Sequence, residues 1–198
     1  MSLLAHPFFE PSAGSYSFIV SNPESRCCAI IDPVLGDSTN GQCDSHNLDL
    51  MLDWVHAHEF HVRWILDTGS ARQASGCAYL KNQLLCAQTG SGASRALAQG
   101  YDRPLSVGDT LCLDHACGRV VCLVSAESGQ VAYQFGDMLF VGQVLSADDE
   151  PVAPTLNALS QFTPHTRVYL GHQALLGGAR GRFVTTVGAL TSLARTAH

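Results

Sequence analysis

Asp67, Cys77 and His172 combine reactive side chains with positions where chemistry is commonly done, and they are the candidate catalytic residues of this chain. Asp67 closes the run Trp64-Ile-Leu-Asp-Thr68, at the C-terminal end of a strand, where a carboxylate faces a ligand or hydrogen-bonds a structural loop. Cys77 follows the loop Gly69-Ser-Ala-Arg-Gln-Ala74 and should lie near the start of a helix. Amides at a helix N-terminus stabilise a thiolate, so a nucleophilic or sulfur-carrying role is one expectation and simple helix packing the other. His172 ends Val168-Tyr-Leu-Gly-His172 and can serve as a base near Cys77, or share a metal with Asp67.

Other constellations invite weaker readings. His56, His58 and His61 mimic a metal motif in spacing. The first two, however, sit at a helix end, where residues two apart point away from each other. Surface histidines are the expectation. Cys112, His115 and Cys117 are zinc-ligand types with no evident fourth partner. Gly177-Gly-Ala-Arg-Gly-Arg182 is expected to join a strand to a final helix starting at Phe183. There Arg180 and Arg182, with free amides, would hold an anion or form a basic loop. The eight cysteines form no CxxC pair and mostly lie in apolar runs, so they read as small buried hydrophobes, with Cys43 the exposed one.

The elements that must position these residues follow from pattern. Ser15–Val20 and Cys27–Ile31 read as a hairpin, and Leu48, Met51, Leu52 and Val55 put one apolar face on a helix over 48–58, capped by Ser45 or Asn47. His61–Asp67 is a buried strand, 74–82 a short helix, and 90–98 a further helical turn. Strands are expected over 110–113, 119–124, 130–135 and 138–141, the last two joined at Gly136-Asp137. A helix over 154–162, a strand over 167–170 and a helix over 183–194 complete the order. It implies an α/β (α+β) chain: a single domain over 1–198, built as two mixed sheets with helices outside.

A formal charge of −6 and no dense Lys/Arg cluster argue against nucleic acid. No apolar run approaches a membrane span, and the N-terminus lacks a signal-peptide layout, so a cytoplasmic location is expected.

Local sequences within this order resemble the metallo-β-lactamase superfamily, in its persulfide dioxygenase and glyoxalase II-like branch. The resemblance rests on Phe8-Phe-Glu-Pro-Ser-Ala-Gly-Ser-Tyr-Ser-Phe18, Ala29-Ile-Ile-Asp-Pro-Val34, Val62–Thr68, Val107-Gly-Asp-Thr-Leu111, Phe135-Gly-Asp-Met-Leu-Phe-Val-Gly142 and Val168–His172. It implies a four-layer αββα metallo-β-lactamase sandwich with an iron or zinc site at the loops between the sheets. The motif itself has degenerated. The family's THxHxDH run follows Thr68, but Gly69 stands at the first ligand and no His or Asp lies between Thr68 and Cys77. The next histidine falls near Ala126, the FTGD aspartate aligns with Gln143, and only His172 remains.

A catalytic metal needs about three such ligands and an open position, so the resemblance implies no bound metal cofactor. The expectation is a non-catalytic pseudoenzyme whose cleft binds a small or anionic ligand, or a partner, through Gly69, Ser70, Arg72, Gln143, His172, Arg180 and Arg182. Asp137 is expected near the same cleft. The alternative is an active hydrolase or persulfide dioxygenase-like enzyme with a rebuilt metal site or a Cys77 thiol mechanism. A homodimer is left open.

Overall fold

The computed structural model describes residues 2–37, 43–69, 74–123, 129–142, 153–176 and 179–196. In chain order the elements are β1 (Leu4–Glu10), β2 (Ser15–Asn22), β3 (Cys27–Ile31), β4 (Gly36–Asp37), β5 (Cys43–Asp44), α1 (His46–Ala57) and β6 (His61–Asp67). There follow α2 (Cys77–Gln83), β7 (Gln88–Gly92), α3 (Ala93–Gln99), β8 (Arg103–Leu105), β9 (Thr110–Leu113), β10 (Ala116–Val121), β11 (Ala132–Phe135) and β12 (Met138–Phe140). The chain closes with α4 (Ala153–Leu159), β13 (Arg167–Leu176), β14 (Ala179–Thr186) and α5 (Val187–Thr196).

Two mixed sheets result. β1-β2-β3 pair antiparallel, and β3-β6-β7-β8 continue in parallel. In the second, β9-β10-β11-β12 are antiparallel, β12 runs parallel to β13, and β13 pairs antiparallel with β14. The sheets meet where His172 of β13 pairs with Ser15 of β2, so the whole is one sheet curled over itself.

Three apolar layers show how the curl is filled. Between the sheets, Phe18, Ile31, Trp64 and Leu66 face Leu111, Val120, Tyr133, Phe135 and Phe140. Outside the first sheet, Ile19, Ile30 and Ile65 meet Leu48, Met51, Val55 and Leu80 of α1 and α2. Outside the second, Leu139, Val168 and Leu170 meet Leu159, Val187 and Leu190 of α4 and α5. Helix, sheet, sheet and helix therefore stack as four layers. The sequence of β6 shows why: His61 and Arg63 are exposed at its start, while Trp64 to Asp67 are buried. A continuous run is what a parallel strand covered on both faces requires.

Several elements differ from the sequence reading. Phe183 and Val184 do not open a helix. They lie in β14, Val184 opposite Tyr169 and the Phe183 ring 5.0 Å from that of Tyr16. The run Phe183-Val-Thr-Thr186 is aromatic and β-branched, which suits a strand, and α5 begins only at Val187. Residues 90–92 belong to β7 and not to a helix; α3 starts at Ala93. Helix α1 starts at His46, whose amide donates to the Asp44 carboxylate, and Ser45 makes no side-chain cap bond. No helix among the described residues is long and apolar enough to cross a membrane.

Candidate functional site

Parallel pairing of β3 with β6 carries both chain ends to the same edge, and there Asp32 meets Thr68. The Asp32 carboxylate accepts from the Thr68 amide at 2.7 Å and from Thr68 Oγ1 at 2.9 Å. The neighbouring carboxylate, Asp67, accepts from the Gly69 amide at 2.7 Å, from Tyr101 Oη at 2.6 Å and from Arg95 Nη2 at 3.4 Å. Its backbone carbonyl takes two more donors, Ser91 Oγ at 2.9 Å and Tyr133 Oη at 2.8 Å. Strands β6, β7 and β11 thus converge on one residue through its main chain and side chain together.

The second sheet closes over this end. The Val131 amide donates to the Thr68 carbonyl at 3.0 Å, and the Gly171 amide to the Gly142 carbonyl at 2.8 Å. Gly142 has a φ of 57° and lies so close to Thr68 Oγ1 that a Cβ there would overlap it. Thr68, Gly142 and the Gly171-His172 pair therefore gather where the two sheets meet. His172 is half-buried at the seam.

Electrostatics at this end are set by burial. Enclosure, then the charge of Asp67, pushes the Asp32 carboxyl up to about 7, against the lowering effect of its Thr68 hydrogen bonds and of Arg95. Part of Asp32 remains at the surface, but its carboxyl oxygens lie under Thr68 and Gly142. Burial likewise raises the Tyr101 hydroxyl above its ordinary range, so it stays a donor to Asp67. The Arg95 guanidinium, its side chain 17% exposed, provides the cation beside Asp67.

Cys77 is the first residue of α2 but is buried, and burial with the nearby Asp67 charge raises its thiol above the usual range. The expected thiolate-stabilising effect of the helix start is overridden, because enclosing the group disfavours its charged form. Cys77 lines a pocket of about 220 Å³ with Ser75, Lys81, Thr89, Tyr101 and Asp102. Asp137 is also displaced from expectation. It sits in the β11–β12 turn, where its carboxylate takes two bonds from Arg167 at 2.8 and 3.0 Å, and that turn precedes β12 while the site follows it.

Ser70, Arg72 and Gln143 lie outside the described residues, as do the side chains of Arg180 and Arg182. The backbone of those two arginines runs in β14, so the helix start once expected to hold an anion beside them is absent. His56, His58 and His61 are exposed at the opposite end of β6, His58 stacked on Trp54. Cys112 and Cys117 are bonded to each other and not arranged around a metal, and Cys86 joins Cys43 as an exposed thiol.

No family model matches the chain. It is 29% identical over 216 residues to a beta-lactamase hydrolase-like protein of Agrobacterium fabrum, covering 93% of this chain and 50% of that one. The hydroxyacylglutathione hydrolase of Methylococcus capsulatus is 24% identical, over 94% of this chain and 71% of its own. In structure, ETHE1 from Myxococcus xanthus superposes with a TM-score of 0.74 at 18% identity, over 93% of this chain and 80% of that one. The chain has the metallo-β-lactamase fold, and its sequence likenesses support the resemblance to that superfamily.

The chain spans about half the length of the first of these relatives. Read as a metallo-β-lactamase fold, the seam between the sheets is the edge at which the superfamily motif would stand, directly after Thr68. Three residues of that edge escaped the sequence reading: Asp32, Arg95 and Tyr101. Asp32 carried a signal, since it follows an apolar strand and precedes Pro33, and parallel pairing with β6 would bring it to Thr68. Arg95 and Tyr101 carried none. Arg95 lies in the seven-residue helix α3 and Tyr101 just past its end, and only the fold turns them toward Asp67.

Proposed function

We propose that this chain is a non-catalytic member of its superfamily, a binding protein for a small anionic ligand at the seam between the sheets. The observation that carries the reading is the commitment of the two carboxylates at the ends of β3 and β6 to protein donors. Asp32 is held by Thr68, and Asp67 by Gly69, Tyr101 and Arg95. A divalent iron or zinc ion needs about three imidazole, carboxylate or thiolate ligands. Between Thr68 and Cys77 the sequence provides no His, Cys, Asp or Glu, and Gln143 is a neutral amide. Among the described residues no group of three His, Cys, Asp or Glu is placed to hold a metal ion. This donor set does not fit the family's metal.

An anion suits the site better. The cation beside Asp67 is Arg95, and its buried Nε has no hydrogen-bond partner among the described residues, so an acceptor is wanted there. His172 at the seam adds a second polar side chain.

Two assays test the reading. Thioester turnover is measured with an α-hydroxyacyl glutathione substrate, before and after incubation with zinc or iron(II), and no rate above the buffer control is expected. Thermal unfolding is then followed against a panel of small carboxylates, phosphates and thiol conjugates. A saturable rise in Tm, lost in Arg95→Gln, supports binding. Metal-dependent turnover would overturn the reading.

A further inference from the structure

We propose that Cys112 and Cys117 form an exchangeable dithiol–disulfide site, oxidised by low-molecular-weight disulfides and reduced by the corresponding thiols. The two cysteines are directly paired positions of the β9–β10 hairpin, their Cα atoms 4.1 Å apart and their sulfurs bonded. The pairing is a property of the backbone. Leu113 faces Ala116 across the two-residue turn Asp114-His115, with Asp114 at a φ of 63°, and that turn alone fixes Cys112 opposite Cys117.

Alternation along the strands then exposes the pair. Leu111 and Leu113 point into the core, and Cys112 and Cys117 point to solvent, where a small thiol can reach either sulfur. Cys28 and Cys77, by contrast, are buried, and burial raises both thiols. Only the hairpin cysteines combine access with a partner among the described residues.

The hairpin also holds its shape without the sulfur bond. Trp64 Nε1 donates to the Cys112 carbonyl at 3.2 Å, and Asn22 Nδ2 to the Leu113 carbonyl at 3.1 Å, tying β9 to the first sheet. Leu111, Leu113 and Val120 anchor the inner face in the core. Opening the bond therefore leaves the two thiols side by side, and reclosure is an intramolecular reaction at high effective concentration.

The chemistry balances with one small disulfide, RSSR. A thiolate of the pair attacks RSSR, releasing one RSH after protonation and leaving a mixed disulfide on the protein. The second protein thiolate attacks the protein sulfur of that mixed disulfide and releases the second RSH. Two protein thiols lose two electrons and two protons, and RSSR becomes two RSH; reduction is the same path reversed.

The test equilibrates the full chain in buffers of varied reduced and oxidised glutathione, quenches with acid, alkylates in denaturant and reads the 112–117 peptide by mass. The expected result is a reversible passage from two alkylated thiols to none, with the half-point inside the range of ratios. Cys112→Ser should instead collect a glutathione adduct on Cys117 at oxidising ratios. A peptide that stays crosslinked in native protein under excess dithiothreitol, opening only in denaturant, would overturn the proposal. So would a peptide that stays doubly alkylated under excess oxidised glutathione.

Discussion

Tyr101 Oη lies 2.6 Å from Asp67 Oδ2, and this bond ties the segment after α3 to the last residue of β6. Tyr101 also lines the 220 Å³ pocket, so one side chain touches both that pocket and Asp67. Tyr101→Phe keeps the ring and removes the donor, leaving a buried carboxylate short of a partner. The expected loss is about 1–3 kcal/mol of stability, read as a lower urea midpoint at unchanged m-value. An unchanged midpoint would mean that Arg95 and Gly69 alone satisfy Asp67.

Asp32 should give the fold a pH dependence of definite sign. Its carboxyl is raised from 3.8 in the unfolded chain to about 7 in the folded one, so the folded state binds the proton more tightly. The associated stability is fully present below pH 4 and is lost as pH rises through about 7. Urea unfolding between pH 5 and 8 is expected to show stability falling with pH, by about 3 kcal/mol across the window and mostly below pH 7. Asp32→Asn should flatten that slope, whatever its effect on absolute stability. An equal slope in the variant would place the titrating group elsewhere.

Gly92 and Gly100 flank the same short helix and should respond differently to alanine. A Cβ on Gly92 would overlap the carbonyl of Gly129, a backbone atom of the segment that leads into β11, whereas Gly100 faces open space at a φ of 71°. Gly100→Ala is expected to cost about 1 kcal/mol, the left-handed penalty alone. Gly92→Ala should cost about 1–3 kcal/mol or more, because that backbone must shift. Thermal unfolding of the two variants side by side checks the order.

Much of the scaffold was legible in the residues. The apolar spacing of Leu48, Met51, Leu52 and Val55 marks the buried face of α1, and His61–Asp67 is β6 to the residue. Gly136-Asp137 does turn β11 into β12. Strand β7 was not legible. Gln88-Thr-Gly-Ser-Gly92 has no apolar side chain, and its extended form comes from pairing between β6 and β8. Its glycines are packing choices, Gly90 against Leu105 and Gly92 against Gly129. At the candidate site, Thr68 and His172 could be aligned because local motifs carry them. The Asp67–Tyr101–Arg95 contacts could not, since they join residues about thirty apart through tertiary packing alone.

The central claim is that this protein holds no catalytic metal, and metal content tests it most directly. Protein purified without chelator or affinity tag, then offered zinc and iron(II) and desalted, is measured by elemental mass spectrometry. The account predicts less than about a tenth of an equivalent of either metal. One tightly held equivalent, lost on mutating His172, would contradict it and return the seam to a metal-dependent enzyme.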